Sequence, residues 1–137
     1  MQTFLPYADF SQCAKVLDSK RIGNQVYREC KTIINGGWKN HPASLMWRGF
    51  KPALALYATC LLQELTRRGR HYPHHYEFFE KFMDIKHIAM PPWLGDERLH
   101  SSHRAALLRK DYIWYYKFGW KDDTNIPYFW PVKKEMQ

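Results

Sequence analysis

The sequence is poor in cysteine, in acidic residues and in long apolar runs. Its three cysteines, Cys13, Cys30 and Cys60, are dispersed and odd in number. No C-x-x-C pair suggests a zinc site or a redox motif, so reduced thiols and a cytoplasmic protein are expected. No apolar run approaches the roughly 20 residues that a spanning helix needs, and no signal-peptide pattern opens the chain. A membrane is therefore the least favoured partner. Repeats and low-complexity tracts are absent, and strand signals nearly so. A length of 137 residues leaves no room for a Rossmann pair, a TIM barrel or a separate regulatory domain.

Basic and aromatic residues are plentiful. Lys and Arg number 21 against 13 Asp and Glu, a formal charge of +8. A small domain this basic favours a polyanion. Aromatics make up 17% of the chain, more than one small core usually needs, so some rings are expected on the surface as binding elements.

The periodicity predicts an all-α, single compact domain over residues 1–137, with three main helices and long ordered loops. Met1 to Asp9 reads as an extended, apolar segment. Asp9 or Ser11 can cap a short turn through Leu17. Asp18 is a good N-cap for a helix from Ser19 to Asn35, ended by Gly36-Gly37. Pro42 opens a second helix over 43–68, stopped by Gly69, with Pro52 expected to kink or split it. A short helix is expected over 76–83 and a third long one over 101–118. The tail from Gly119 to Gln137 reads as loop and extended chain, pinned by Trp120, Phe129 and Trp130.

On the first long helix, Ile22, Val26, Cys30, Ile33 and Ile34 share a stripe at about 100° per residue. Arg21, Gln25, Arg28 and Thr32 share the adjoining one, and Glu29 falls at the seam. Desolvation there raises the pKa of a carboxyl and neighbouring arginines lower it, which is the setting of a general acid/base. The same position also suits a structural salt bridge or a snorkelling glutamate. Two arginines and a glutamine on one face make a natural reader of phosphates and base edges.

Seven histidines invite a metal reading, but no H-E-x-x-H or comparable spacing is present, and no metal is expected. His100 and His103 are expected to face DNA or cap the third helix. His41 stands at a helix N-terminus, a place that favours anions. Arg48 is a site candidate beside it, while Trp47 reads as core. Arg67, Arg68 and Arg70 suit the dipole of a helix end. Arg104, Arg109, Lys110, Lys117 and Lys121, interleaved with Tyr112, Trp114 and Tyr115, form the best nucleic-acid stripe.

Tyr27-Arg28-Glu29 resembles the Tyr-Arg-Glu of the phage endonuclease V type of pyrimidine-dimer DNA glycosylase. Trp114-Tyr115-Tyr116-Lys117-Phe118-Gly119 is similar to the aromatic C-terminal stretch of that superfamily. Longer motifs resemble a less characterised branch of it: Phe4-Leu5-Pro6-Tyr7, Asp18-Ser19-Lys20-Arg21-Ile22-Gly23, Asn40-His41-Pro42-Ala43, Met46-Trp47-Arg48-Gly49 and Pro91-Pro92-Trp93-Leu94-Gly95-Asp96-Glu97-Arg98. The resemblance implies an endonuclease V-like all-α fold with no metal and no organic cofactor. It implies double-stranded DNA containing damaged pyrimidines as partner, no obligate protein partner, and a nucleoid-associated protein of bacterial or phage origin.

The chemistry it implies is a DNA glycosylase, with AP-lyase activity as an extension. An N-terminal α-amine attacks the sugar C1′, the base leaves as an imine forms, and a glutamate manages protons so that the 3′ phosphate can be eliminated. Glu29 matches that glutamate, Arg28 the adjacent phosphate-contacting arginine, and Trp114, Tyr115 and Lys117 the C-terminal DNA contacts. Gln2, which is not small, follows Met1, so Met1 is expected to be retained and to carry the amine, with Lys20 as a substitute. An α-amine titrates ordinarily near 8, within easier reach of the neutral form than a lysine. The expected DNA contacts are thus Gln2, Arg21, Gln25, His41, Arg48, His100, His103, Arg104, Trp114, Tyr115 and Lys117. Two other functions fit the same residues: a DNA-base-modifying or processing enzyme on this scaffold, and a non-catalytic DNA-binding module.

Overall fold

Helix boundaries in this protein follow its capping residues. The computed structural model describes residues 1–83 and 86–132; of the expected tail, residues 133–137 lie outside that description. Asp9 accepts from the Gln12 amide and starts α1, Phe10–Val16. Asp18 does the same for Arg21 and starts α2, Ser19–Asn24. The backbone then widens into a π-helical turn, Gln25–Cys30, and tightens again as α3, Lys31–Ile34. Gly36, at φ 84°, closes the run, because glycine alone enters that conformation without steric cost.

The second helix is split. α4, Pro42–Leu45, is capped by the His41 ring, and α5, Lys51–Arg67, starts afresh after Gly49 at φ 84°. Pro52 stands in the first turn of α5, where its missing N–H costs nothing. The break therefore precedes the proline instead of sitting at it. α6 is Pro73–Glu80, three residues earlier than expected. The third helix starts sooner as well: Asp96 caps α7, Glu97–Lys110. It stops at Asp111, whose carboxylate caps α8, Tyr112–Tyr115, and a 3-10 turn, Tyr116–Phe118, follows. Among the described residues the three main helices thus become six shorter ones and two irregular turns, while α1 and α6 are the two short elements expected beside them. The fold is all-α; among the described residues there is no strand, nor any helix long and apolar enough to cross a membrane.

α5 is the central post, packed against α1, α2, α3, the wide turn and α6. Trp47, Tyr57, Phe79 and Tyr115 are its largest fully enclosed neighbours and members. The tail folds back over α7: Arg109 donates to the carbonyl oxygens of Thr124 and Ile126, and Trp120 stacks on Tyr115 at 5.7 Å. As expected, some rings are left outside, with Tyr27, Tyr112 and Tyr116 between 45% and 62% exposed.

The least ordinary element is the start of the chain. Residues 2–6 run extended through the interior, and all are buried. No strand lies beside them, so side chains must satisfy their backbone. Gln25 accepts from the Phe4 amide at 3.1 Å and donates to the Gln2 carbonyl at 2.8 Å. Tyr57 donates to the Phe4 carbonyl. The Leu5 amide donates to His103 Nδ1 at 2.9 Å, and the Leu5 carbonyl accepts from His100 Nδ1 at 2.7 Å. Arg104 donates to the Pro6 carbonyl. Trp47 donates to the Thr3 hydroxyl at 2.9 Å.

This sheath has an acid weakness. His103 accepts at Nδ1, so it is neutral with its proton on Nε2, an atom buried without a partner among the described residues. Burial, helped by the nearby His100, pushes its pKa down to about 3, and burial pushes His75 down to about 4. An unfolded histidine protonates near 6.5. The unfolded chain thus takes up protons first as pH falls, and stability, complete above that value, is lost between about 6.5 and 3. His103 alone contributes up to about 1.4 kcal/mol per pH unit in that window. Thermal melts should show a Tm that is flat above pH 7 and declines steadily below 6. The decline should shrink in His103→Gln, whose amide oxygen can still accept from Leu5.

Candidate active site

The inward row of the π-helical turn consists of Gln25, Val26, Glu29 and Cys30. Turns of this kind occur often at functional sites, because the extra residue re-aims side chains without ending the helix. Here it carries two polar groups toward the N-terminal segment. Gln25 grips the backbone of residues 2 and 4, as described. Glu29 is only 8% exposed, and its Oε2 is buried with no hydrogen-bond partner among the described residues. An orphaned carboxylate oxygen in a folded protein is unusual and calls for an explanation, such as a ligand atom or a proton.

Electrostatics point the same way. Burial raises the Glu29 carboxyl above its ordinary range, and its own backbone amide, the Arg28 guanidinium and the Met1 α-amine pull it back. The charge at Met1 therefore reaches Glu29, while Met1 itself is half-buried and Arg28 exposed. The site offers a terminal amine, a carboxyl that can exchange a proton, and an open cation. That set can perform amine addition, proton transfer and phosphate binding.

A cavity of about 150 Å³ opens nearby. Ile33, one turn beyond Glu29, and Trp47, which holds Thr3, form its apolar wall, and Lys39, Arg48 and Lys51 its cationic rim. Arg48 also donates to the Lys39 carbonyl. Apolar wall and cationic rim together suit a ring that carries a phosphate. His41 caps α4 through Nδ1 at 3.0 Å from the Ala43 amide and lies 5.7 Å from the Trp130 ring. Sequence reasoning placed Arg48 here but missed Lys39, in a turn, and Lys51, the first residue of α5, which are isolated basic residues and carry no pattern.

Several expected DNA contacts are corrected by their burial. His100 and His103 are 2% and 0% exposed and hold Leu5, so they do not face DNA. Gln2 and Gln25, at 3% and 2%, are internal and bonded to the N-terminal segment. Tyr115 is enclosed, with its hydroxyl on Asp18. Arg104 is spent on Asp122, Glu97 and Pro6. Arg21 pairs with Asp18 at 2.8 Å and leans over the Phe4 ring. Trp114 is half-buried and donates to the Val16 carbonyl, while the Lys117 ammonium lies over its ring at 3.6 Å. Of the expected stripe, Arg109, Lys110, Tyr112, Lys117 and Lys121 remain on the surface. Among the described residues no group of three or more His, Cys, Asp or Glu could hold a metal.

A family model described as pyrimidine dimer DNA glycosylase matches residues 1–80. That stretch contains the N-terminal segment, the π-helical turn and all of α5. Searches of curated proteins and of solved structures return no match.

The arrangement predicts that Gln25 matters to activity through the N-terminal segment. Gln25→Leu strands the Phe4 amide and the Gln2 carbonyl in the interior. Each buried orphan costs about 1–3 kcal/mol, so the Tm should fall by several degrees. A chain that stays folded should lose activity in kcat far more than in KM, since DNA-facing groups are untouched. Unchanged melting and turnover would mean that Gln25 does not set the segment.

Proposed function

We propose, given that the chain belongs to the pyrimidine dimer DNA glycosylase family, that it excises damaged pyrimidines from double-stranded DNA through an imine formed by the Met1 α-amine. The family implies DNA glycosylase activity on damaged DNA. The observation that carries the finer reading is the buried, unpartnered Glu29 carboxyl within electrostatic reach of that amine.

In this mechanism the neutral amine adds to C1′ and the glycosidic bond breaks, its electron pair leaving with the base; the nitrogen, having given up a proton, then forms C1′=N as the C1′–O4′ bond breaks and O4′ takes a proton, which opens the sugar ring. Glu29, raised by burial, exchanges protons efficiently in both directions because its pKa lies closer to the working pH than an ordinary carboxylate's. It assists departure of the base. As a carboxylate it then accepts the C2′ proton of the iminium, and the 3′ phosphate is expelled. Arg28, exposed beside it, offers the charge that holds a phosphate. The fixed N-terminal segment supports the reading further: an amine held near its target gains the advantage of an intramolecular reactant.

Three outcomes test this. Glu29→Gln is nearly isosteric, so it should keep the fold, with a cost of roughly 1 kcal/mol or less, and keep DNA binding while turnover falls by orders of magnitude. Near-native turnover would return Glu29 to a structural role. An uncleaved N-terminal extension, or acetylation of Met1, should abolish borohydride trapping and strand cleavage together while DNA binding persists. A fully active tagged protein would instead point to Lys20, which is exposed at the start of α2, or to a glycosylase that uses water. Finally, the +8 charge should make duplex affinity fall by orders of magnitude between about 50 and 200 mM salt. A flat salt dependence would contradict a nucleic-acid substrate.

A further inference from the structure

The histidine-rich stretch after Arg70 takes no part in the chemistry above, yet it builds a second face of the protein. Tyr27, on the outer side of the π-helical turn, meets Tyr72 and His75 of the α6 region, with ring centroids at 6.0 and 4.6 Å. His74 follows at 3.9 Å from His75. Tyr27 and His74 are exposed, while His75 is buried and its Nδ1 has no partner among the described residues. One turn beyond Tyr27, the Lys31 ammonium lies 4.8 Å from the Phe78 centroid, and Lys81 approaches the same ring at 4.7 Å. The charge of Arg70 reaches the Tyr27 hydroxyl.

These are not metal ligands, and a simple core edge would not gather such charges. Two ammonium groups drawn to one ring oppose each other; burial and the like charge of Lys81 both lower the Lys31 pKa. An arriving anion relieves that repulsion. Exposed rings beside clustered cations are the elements by which proteins hold single-stranded nucleic acid: bases stack on the rings and cations follow the phosphates. The position is favourable too. Around the π-helical turn, whose rotation per residue is smaller than an α-helix's, exposed Arg28 lies between buried Glu29 on one side and Tyr27 with Lys31 on the other. A strand leaving the carboxylate thus crosses Arg28 to reach α6.

We infer that the face of Tyr27, Lys31, Arg70, Tyr72, His74 and Phe78 binds a short unpaired stretch of DNA next to the reacting nucleotide. It rests on the proposed function only in taking DNA as the substrate.

The test is fluorescence anisotropy with a labelled oligothymidylate of roughly ten nucleotides, and with an undamaged duplex as reference. The wild-type protein should bind the oligothymidylate. Tyr27→Leu and His74→Ala should each weaken that binding about tenfold and leave duplex affinity within about twofold, because paired bases offer no free ring face. Tyr27→Phe, which keeps the ring and its packing on His75, should bind like wild type. Lys31→Gln with Lys81→Gln should make the salt dependence shallower by about 1–2 log units per log unit of salt. His74 is exposed, so His74→Ala keeps the test valid even if Tyr27→Leu fails to fold. Single-strand binding unchanged in His74→Ala and in the lysine pair overturns this face. Borohydride trapping on abasic duplex, run in parallel, reports on the imine separately. Wild-type trapping with unaltered variants on oligothymidylate sinks the face alone. Absent trapping with Tyr27- and His74-dependent binding sinks the imine mechanism alone.

Discussion

An extended peptide in a protein interior must find a partner for every amide and carbonyl it brings in, since each one left bare costs about 1–3 kcal/mol. In this protein residues 2–6 meet that constraint without a neighbouring strand. Their partners come from the π-helical turn through Gln25, from α5 through Tyr57, and from α7 through His100, His103 and Arg104. Rotating any of these elements by one residue breaks at least one of the bonds. The N-terminal segment thus acts as an axle that fixes the relative register of the turn and two helices. It also fixes, with the same bonds, where Met1 stands relative to Glu29.

The Glu29 site follows from that packing. A carboxylate seldom stays buried without a partner, because desolvation opposes its charge. Here two positive groups, Arg28 and the Met1 amine, offset part of the cost without hydrogen-bonding the buried Oε2. The carboxyl is held above its ordinary range and yet retains an acceptor atom for a substrate proton. A direct Arg28–Glu29 ion pair would have stabilised the pair and lowered the pKa, turning Glu29 into a structural group. Because Arg28 is turned outward, it influences Glu29 through space and remains available to a phosphate.

Local signals in the sequence carry over to the structure. Asp9 and Asp18 as caps, Gly36 as a stop and Pro42 as a first-turn residue are chemical rules acting over three or four positions, and each holds in the structure. Glu29 at a seam was legible because it depends on the periodicity of one helix. What the sequence hid was long-range polar pairing. His103 meets Leu5 across 98 residues, and Tyr115 meets Asp18 across 97. A histidine or arginine that satisfies a distant carbonyl looks, in sequence, the same as one that awaits DNA. That ambiguity led to His100, His103, Arg104, Gln25 and Tyr115 being read as DNA contacts. The break between α7 and α8 has a local cause: the Asp111 side chain accepts from the Trp114 amide and caps a new helix within the stretch 101–118 that is expected as one helix.

The division of the polar residues into an inner and an outer set has a consequence for the proposed mechanism. The inner set, Gln25, His100 and His103, is bonded to the N-terminal segment and positions it, while the charge that reaches Glu29 comes from Arg28 and the Met1 amine. The outer set, Arg28 together with Lys39, Arg48 and Lys51 at the cavity rim, carries the charge and lies where a polyanion arrives. A DNA phosphate at Arg28 cancels part of the positive potential that now lowers the Glu29 pKa, and the same contact excludes water, which raises that pKa further. Both effects have the same sign. Substrate binding therefore moves the carboxyl toward its protonated form, which is what departure of the base requires. Once the base has left, the iminium charge at C1′ moves it back toward the carboxylate that removes the C2′ proton. The acid and the base can then be one residue because the charge nearest the carboxyl differs between the two steps.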